Sequence, residues 1–118
     1  MIRYRSIFEQ NLSKTIKRHD SNATYESIKF DYVVLHKYTP DFVLSNGVHL
    51  ELKGVLTPAD RTKLLAVKKQ HPEIDLRLVF MNSKNKISKS SRTTYSQWAT
   101  KHGFLWCDGS NIPPEWFK

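Results

Sequence analysis

The sequence predicts a single α/β domain of the α+β mixed-sheet type, with helices packed against one sheet. The length of 118 residues suits one compact core rather than two. Apolar residues recur at helical spacing in some segments and alternate with polar residues in others, which indicates helices and strands in one chain. A hairpin signal precedes a helix signal, so both antiparallel and parallel neighbours are expected in the sheet.

The first predicted elements are a helix and a strand. Residues 6–18 should be helical, because their apolar side chains share one helical face. Ser6 can cap this helix, and Glu9 three residues later completes a capping-box pattern. Residues 28–35 are rich in β-branched and aromatic types and are expected to form the first strand.

Two further strands, residues 41–44 and 48–53, are joined by Asn46-Gly47. This dipeptide favours a type I′ turn, in which both central residues have a positive φ. Side chains of the strand at 48–53 alternate between two faces, and Gly54 ends the strand. The polar face carries His49, Glu51 and Lys53, and the apolar face carries Val48, Leu50 and Leu52.

The C-terminal half alternates helices and strands. Thr57 is a suitable cap for the second helix, Pro58 suits its first position, and the helix is expected to end at about Gln70. A basic, Ser-rich loop follows later, at residues 82–93. The predicted order is α-β-β-β-α-β-α-β, and its last elements are a strand at 76–80, a helix at 94–101 and a strand at 104–106.

Cysteine usage and hydropathy exclude several classes of protein. Cys107 is the only cysteine, so the chain can form neither an intrachain disulfide nor a cluster of thiolate metal ligands. No apolar run approaches the roughly 20 residues that span a bilayer, so no membrane partner is expected. The first five residues lack the apolar stretch of a signal peptide. A reducing, cytoplasmic setting is therefore expected.

The positive charge of the chain is concentrated in one segment. The net charge is +8 and the isoelectric point is near 9.7. Residues 61–101 contain ten Lys or Arg against only Glu73 and Asp75, so this segment holds the entire surplus. Such a concentration favours a polyanionic partner, because neutralised phosphates release condensed counterions. A solvated basic surface is the alternative that the composition leaves open.

Three polar residues lie where a core would not need them. Asp41 follows Pro40 at the start of a short apolar strand. Glu51 and Lys53 share one face of the next strand, roughly 6.6 Å apart along it. Pairing across the predicted turn brings all three together. The alternative is a surface ion pair between Lys53 and Glu51, worth about 0–1 kcal/mol, with Asp41 as a turn residue.

This combination of residue types suits phosphodiester hydrolysis. Two adjacent carboxylates repel each other, so Asp41 and Glu51 favour a divalent cation between them. Mg²⁺ takes oxygen ligands and retains waters, and the backbone carbonyl of Leu52 is oriented to add a further ligand. Lys53 can orient the attacking water or stabilise developing charge. Glu9 has two interpretations: a capping-box partner, or a ligand that completes the set or holds a second metal.

The residue pattern extends over nearly the whole chain. Pro40-Asp41 and Glu51-Leu52-Lys53 match the core motif of the PD-(D/E)XK nuclease superfamily. More narrowly, the chain resembles the endonuclease I family of T-odd phages, which are Holliday-junction resolvases. The stretches that carry this resemblance are Tyr4–Glu9, Tyr38–Phe42, Asn46-Gly47, Glu51–Gly54, His71–Phe80, Lys101–Gly103 and Ile112–Trp116.

The resemblance implies a restriction-endonuclease-like core. It also implies that Glu9, Asp41, Glu51 and Lys53 are the active-site residues, acting with magnesium, or manganese as a substitute, on branched DNA. The setting that it implies is the cytoplasm of a phage-infected bacterial host.

The chain also departs from the family pattern. Between Phe30 and Thr39 it is shorter than the family's equivalent, where an extended bridge builds a strand-exchanged dimer, and the long basic tails at both ends are missing. A resolvase makes two coordinated cuts and so needs two active sites. A dimer on branched DNA and a monomer that nicks duplex DNA are therefore both left open.

Contacts with DNA are expected from two places, the second helix and the basic loop. Serines and lysines of the loop can bind phosphates without reading sequence. The basic residues of the helix have an alternative role as its solvated face. His49 is expected to be an exposed strand histidine, with a DNA or metal-water contact as the alternative. The candidate DNA-binding residues are Arg61, Lys63, Lys84, Lys86, Lys89 and Arg92.

Three functions remain in competition. The leading one is a metal-dependent, structure-selective DNA endonuclease of the Holliday-junction resolvase type. The second is a monomeric nicking or homing-type endonuclease of the same fold. The third is a non-catalytic DNA-binding module, against which the acidic pair argues, because carboxylates that face phosphates weaken binding.

Overall fold

The computed structural model of the protein describes residues 6–118, so Tyr4 and Arg5 of the resemblance lie outside the described residues. The chain divides into two compact units, one ending at His36 and the other formed by Lys37–Lys118. Among residues 6–118, no helix has both the length and the apolar character needed to cross a membrane.

The first unit contains helix α1, Ile7–His19. The Ser6 hydroxyl accepts a hydrogen bond from the Glu9 amide at 3.2 Å, which confirms Ser6 as the N-cap. The helix ends in basic side chains at Lys17, Arg18 and His19, where positive charge complements the helix dipole.

The strand predicted at residues 28–35 is wrong, because the first strand of the described chain begins only at Phe42. A strand requires a neighbouring backbone to complete its ladder of hydrogen bonds, and β-propensity alone does not supply one. The side chains of this segment remain exposed, and Leu35 reaches 93% exposure. The apolar composition of residues 28–35 therefore does not indicate a strand of this chain's sheet.

The second unit is built on a four-stranded sheet in the order β1-β2-β3-β4. Strands β1 and β2 are antiparallel, whereas β2 with β3 and β3 with β4 are parallel, as a mixed sheet requires. The elements are β1 Phe42–Val43, β2 Val48–Lys53, α2 Pro58–Gln70, β3 Asp75–Phe80, α3 Tyr95–Lys101, β4 Trp106–Asp108, and two 3₁₀ turns, Gly109–Asn111 and Pro114–Phe117.

Apolar side chains cover both faces of the sheet. Leu78 and Phe80 of β3 pack with side chains of α2 and α3 on one face. Val79, which points to the opposite face, packs with Val48 and Leu50 of β2 and with the C-terminal Trp116. The centre of the sheet is therefore covered on both faces, whereas both residues of β1 are exposed.

The hairpin between β1 and β2 differs from the predicted type I′ turn. Only Gly47 of the dipeptide has a positive φ, at 90°. The Gly47 amide donates to the Leu44 carbonyl at 2.9 Å and the Leu44 amide to the Val48 carbonyl at 2.8 Å. This is a three-residue loop with a glycine bulge. The Asn46 side chain instead donates to the C-terminal backbone at Trp116 and Lys118.

The last strand is displaced by two residues from the predicted 104–106. The Phe104 amide donates to the Ala99 carbonyl at 2.9 Å, which ties this residue to the end of α3. Its ring is buried at 3% exposure in the cluster that α3 completes. Regular pairing with β3 therefore begins at Trp106, opposite Leu78.

Candidate active site

Asp41 reaches the backbone of β2 across the hairpin. The register pairs Phe42 with Leu50, and one step further along it Asp41 lies opposite Glu51. The Asp41 Oδ2 atom accepts a hydrogen bond from the Leu52 amide at 2.8 Å. The turn thus brings the two carboxylate-bearing positions to the same end of the hairpin.

Glu51 is a carboxylate inside the fold, with 6% of its surface exposed. Its Oε1 accepts a hydrogen bond from the Tyr38 hydroxyl at 2.7 Å. Its Oε2 lies 3.4 Å from the Lys53 ammonium. Burial and the hydrogen bond to Glu51 raise the pKa of Tyr38 well above its usual range, so this hydroxyl remains a donor at neutral pH.

Lys53 is held by a second carboxylate. Its Nζ lies 3.0 Å from Oδ1 of Asp60 in the first turn of α2. Burial lowers the pKa of Lys53, but the hydrogen bond and charge of Asp60, together with Glu51, outweigh it and raise the pKa overall. The ammonium therefore stays charged and fixed between two carboxylates.

The backbone of Leu52 faces the Asp41 side of β2. The Met81 amide donates to the Lys53 carbonyl at 3.0 Å, so the Lys53 backbone faces β3. Neighbouring residues of a strand direct their backbone groups to opposite edges, and the Leu52 amide accordingly meets Asp41. The Leu52 carbonyl shares that edge of the strand, because the amide and carbonyl of one strand residue point the same way. Its role as a ligand stays a prediction.

The groups at the end of the hairpin are oxygen donors, the ligand type that Mg²⁺ prefers. Among the described residues, no three His, Cys, Asp or Glu side chains form a cluster able to hold a metal ion. A cluster of three or more such side chains is typical of zinc sites, whereas Mg²⁺ is commonly held by one or two carboxylates and keeps several waters. Asp41, Glu51 and the carbonyl of Leu52 are the groups that would hold Mg²⁺ here, and this assignment stays a prediction.

Glu9 belongs to the first unit, where its carboxylate accepts a hydrogen bond from the Tyr25 hydroxyl. That bond is the largest of the causes that raise the pKa of Tyr25 to about 12. Glu9 also lies beside a small concave surface lined by Leu12, Ile16 and Ala23. Its membership of the active site stays a prediction.

The six candidate DNA-binding residues fall into two groups. Arg61 donates to the carbonyls of Leu56 and Ile87, at 2.9 and 3.2 Å, and thereby fastens the basic loop to the start of α2. Lys63 lies over the Tyr38 ring, 5.4 Å from its centre. The other four lie exposed along the loop, and they are Lys84, Lys86, Lys89 and Arg92.

His49 differs from the exposed histidine that was expected. It pairs with Leu76 in the sheet, and its Nδ1 is buried without a hydrogen-bond partner among the described residues. Its side chain lies on the same face of β2 as that of Glu51, but two residues further from Lys53 along the strand.

Two polar residues of the site were missed by sequence reasoning. Tyr38 lies before the hairpin, and its contact with Glu51 depends on how the chain enters β1. Asp60 is the third residue of α2 and completes a capping box with Thr57, a pattern that is readable in the sequence. Its contact with Lys53 is not readable, because it depends on the path from β2 into α2.

The chain is similar to known phage endonucleases. The sequence profile of the family described as Phage endonuclease I matches residues 1–118. Endonuclease I of Escherichia phage T7 is 42% identical over 118 residues, which cover 98% of this chain and 78% of that protein. Endodeoxyribonuclease 1 of Enterobacteria phage T3 is 43% identical over 108 residues, which cover 89% and 71%. The chain belongs to the phage endonuclease I family.

Proposed function

We propose that this protein is a magnesium-dependent endonuclease that hydrolyses phosphodiester bonds of branched DNA, in the manner of a Holliday-junction resolvase. The observation that carries the proposal is the convergence of Asp41, Glu51 and Lys53 at one end of the β1–β2 hairpin. The alternative, a surface ion pair between Lys53 and Glu51, does not explain why Glu51 is only 6% exposed. The relatives from phages T7 and T3 are themselves named as endonucleases.

The proposed ligands are Asp41, Glu51 and the carbonyl of Leu52, with Glu9 as a further ligand and Mn²⁺ as a substitute for Mg²⁺. The metal supplies charge stabilisation at the scissile phosphate and lowers the pKa of a water. The protein supplies preorganisation: the Leu52 amide fixes the Asp41 carboxylate, and the Tyr38 hydroxyl fixes that of Glu51. Fixed groups lose little freedom when substrate binds.

We assign the role of catalytic amine to Lys53. Its ammonium is a compact charge with three donors, and contacts at 3.4 and 3.0 Å to Glu51 and Asp60 define its position. From there it stabilises negative charge that develops on the phosphate or orients the attacking water. A lysine with two acidic neighbours remains protonated, which suits the first of these roles at neutral pH.

The DNA partner is supported by charge. The segment that carries the entire surplus, residues 61–101, includes most of α2 and the whole basic loop, both of which lie in the same unit as the hairpin. The loop is braced by Arg61 and by a bridge between Lys86 and Thr94, so its cations are presented on an ordered backbone. The proposed place of action is the cytoplasm of an infected bacterial cell.

Paired cuts across a junction require two copies of the site, so we include a dimer in the proposal. Residues 28–35 support it, because Phe30, Val33 and Leu35 are more than four-fifths exposed in a segment outside the strands of the described chain. Exposed apolar runs of this kind commonly mark interaction surfaces. Light scattering of the pure protein measures the mass directly, and a monomer that only nicks linear duplex contradicts the resolvase version.

The test of activity compares the parent with Asp41→Ala and Lys53→Ala on a four-way junction and on a linear duplex, with Mg²⁺. Both variants should lose cleavage while junction binding, measured with Ca²⁺ in place of Mg²⁺, stays largely intact. Cleavage at the parental rate by either variant overturns the assignment of that residue. If the parent binds junctions but cuts nothing at any Mg²⁺ concentration, the protein is a binding module instead.

A further inference from the structure

Asp60 has two partners, one on each oxygen of its carboxylate. Oδ2 accepts a hydrogen bond from the Thr57 amide at 3.0 Å, which completes the capping box of α2. Oδ1 accepts a hydrogen bond from Lys53 Nζ at 3.0 Å. The carboxylate therefore joins the first turn of a helix to the lysine at the end of the neighbouring strand.

The contact with Lys53 has the features of a fixed interaction. The exposed fraction of the two side chains is 17% for Lys53 and 23% for Asp60, so solvent screens the pair only in part. The capping bond holds the Asp60 side chain in one orientation, because a rotation that released Lys53 would also release the Thr57 amide. A free surface pair has no such constraint.

The distances separate the roles of the two acidic neighbours of Lys53. The Asp60 oxygen lies at 3.0 Å from the ammonium, within hydrogen-bond distance, whereas the Glu51 oxygen lies at 3.4 Å. Glu51 also accepts from Tyr38 and is a proposed metal ligand, so its oxygens have competing demands. The carboxylate of Asp60 accepts from Lys53 and from the start of its own helix, and it is not a proposed metal ligand.

We propose that Asp60 is a positioning residue for the nuclease reaction, which holds the Lys53 ammonium at the active site and couples its place to the N-terminus of α2. The proposal rests on the function proposed above, since it assumes that Lys53 acts on the phosphate. Asp60 itself does not touch the substrate. Its removal leaves an ammonium on a flexible four-carbon stem with a single acidic neighbour.

The experiment compares Asp60→Asn with Thr57→Ala in the full chain. The asparagine keeps the shape of Asp60 but presents only one accepting oxygen and no charge. The alanine removes the Thr57 hydroxyl that accepts from the Asp60 amide at 3.1 Å, and so weakens the same capping box while sparing the carboxylate. Both variants should lower the melting temperature. Only the first disturbs Lys53.

The main readout is single-turnover cleavage of a four-way junction at saturating protein and Mg²⁺. We expect Asp60→Asn to cleave at least about tenfold more slowly, because misplacement of a catalytic group by about 1 Å has effects of that size. Thr57→Ala should keep the parental rate within about twofold, and both should bind the junction within about threefold of the parent with Ca²⁺. A parental rate for Asp60→Asn, or an equal loss in both variants, overturns the proposal.

A second readout does not depend on activity. The melting temperatures of the parent, Asp60→Asn, Lys53→Ala and the double variant form a cycle, in which two groups in contact produce non-additive shifts. We expect the double variant to melt above the temperature that the sum of the single losses predicts. Additive losses show that the two side chains do not interact, which overturns the proposal even if every variant is inactive.

These outcomes also separate this proposal from the proposed function. A parent that does not cleave, or a Lys53→Ala variant that cleaves normally, contradicts the function assigned to the site. If instead the parent cleaves, Lys53→Ala does not, and Asp60→Asn cleaves like the parent, only the role of Asp60 is wrong.

Discussion

Glu51 occupies a position where a sheet covered on both faces ordinarily holds an apolar side chain. Its neighbours in the parallel ladder, Leu78 beside it and Phe80 beside Lys53, are fully buried. A carboxylate in such a place is costly unless hydrogen bonds and opposite charge offset its desolvation. Tyr38 and Lys53 supply both, and this arrangement keeps a charged group next to solvent-accessible Asp41.

Replacement of Tyr38 by phenylalanine tests the support of Glu51. The variant keeps the ring but removes the donor 2.7 Å from Oε1. We expect the free energy of unfolding to fall by about 1–2 kcal/mol, since a buried charged acceptor loses a partner. Urea unfolding measures the change. The matched control is Tyr32→Phe at a site 85% exposed, where we expect a change within about 0.5 kcal/mol. Equal effects contradict the account of Glu51.

Stability should also depend on the ionisation of Asp60. Burial raises the pKa of Asp60, but hydrogen bonds from Thr57 and Lys53 outweigh it and hold the pKa below its ordinary value of 3.8. A depressed folded-state pKa gives stability that is present above the unfolded-state pKa and is lost as the pH falls through the folded-state one. We therefore expect the stability of the parent to fall below about pH 4, and more steeply than that of Asp60→Asn. Urea unfolding from pH 6 downward measures both profiles, and parallel profiles contradict this role.

At the residue scale, the sequence made Asp41, Glu51 and Lys53 recognisable because a hairpin signal and strand alternation depend only on local spacing. The same spacing did not predict that Nδ1 of His49 is buried, since that depends on its pairing with Leu76 from a distant strand. Contacts made by Tyr38 and Asp60 were beyond sequence reasoning for the same reason.

The hairpin is the element that places Asp41 and Glu51 together. Its geometry depends on Gly47, whose φ of 90° is accessible to glycine and strained for residues with a Cβ atom. A methyl group added at Gly47 would meet no atom within 4 Å, so the cost of a side chain there comes from the backbone alone.

We therefore expect Gly47→Ala to lower the free energy of unfolding by about 1 kcal/mol or more. The control is Gly109→Ala, where an added methyl meets its nearest atoms at an ordinary 3.7 Å and no positive φ is needed. Its effect should stay within about 0.5 kcal/mol. Urea unfolding of both variants measures the difference, and a larger loss for Gly109→Ala contradicts the account of the turn.

Elements with strong local signals were predicted well. Helix α2 has the predicted N-cap Thr57 and ends at Gln70, because capping residues, Pro58 and the helical spacing all agree. The strand predicted at residues 28–35 had only composition in its favour, and composition does not provide a ladder partner. The position of β4 depended on Phe104 entering the core, which local pattern could not indicate.

At the scale of the whole molecule, we distinguish two contributions to DNA recognition: attraction between charges, and the geometry of the DNA. The basic surplus lies in one part of the sequence, whereas the acidic pair lies at the hairpin end. Phosphate contacts give affinity that depends on salt and not on base sequence. The proposed selection of branched DNA would therefore have to come from geometry, because phosphate contacts alone do not distinguish a junction from a duplex.

The basic loop should contribute to the salt dependence of binding. We expect the slope of log affinity against log salt to decrease by about one for each phosphate contact that is removed, hence by about two for Lys89→Ala with Arg92→Ala. Lys14→Ala with Lys17→Ala on α1 removes the same net charge and is the matched control. Junction binding with Ca²⁺ at several salt concentrations gives the slopes. Equal changes in both pairs indicate a general charge effect and contradict a specific role for the loop.

At this scale, the mixed sheet and the family were predictable from sequence, because the motif residues occur in one order along the chain. The exposure of the apolar residues at 28–35 was not predictable, since their composition favoured a strand within the sheet. The division into two units at His36 also has no clear signal in composition.

In the proposed function, Asp41 and Glu51 act together through a divalent cation. The decisive experiment is single-turnover cleavage of a four-way junction, measured as Mg²⁺ is titrated for the parent and for Glu51→Gln. We predict no cleavage by the parent in a chelator, a saturable rise with Mg²⁺, recovery with Mn²⁺, and no cleavage by Glu51→Gln at any concentration. Cleavage by the parent without divalent metal, or a parental rate for Glu51→Gln, would contradict the account.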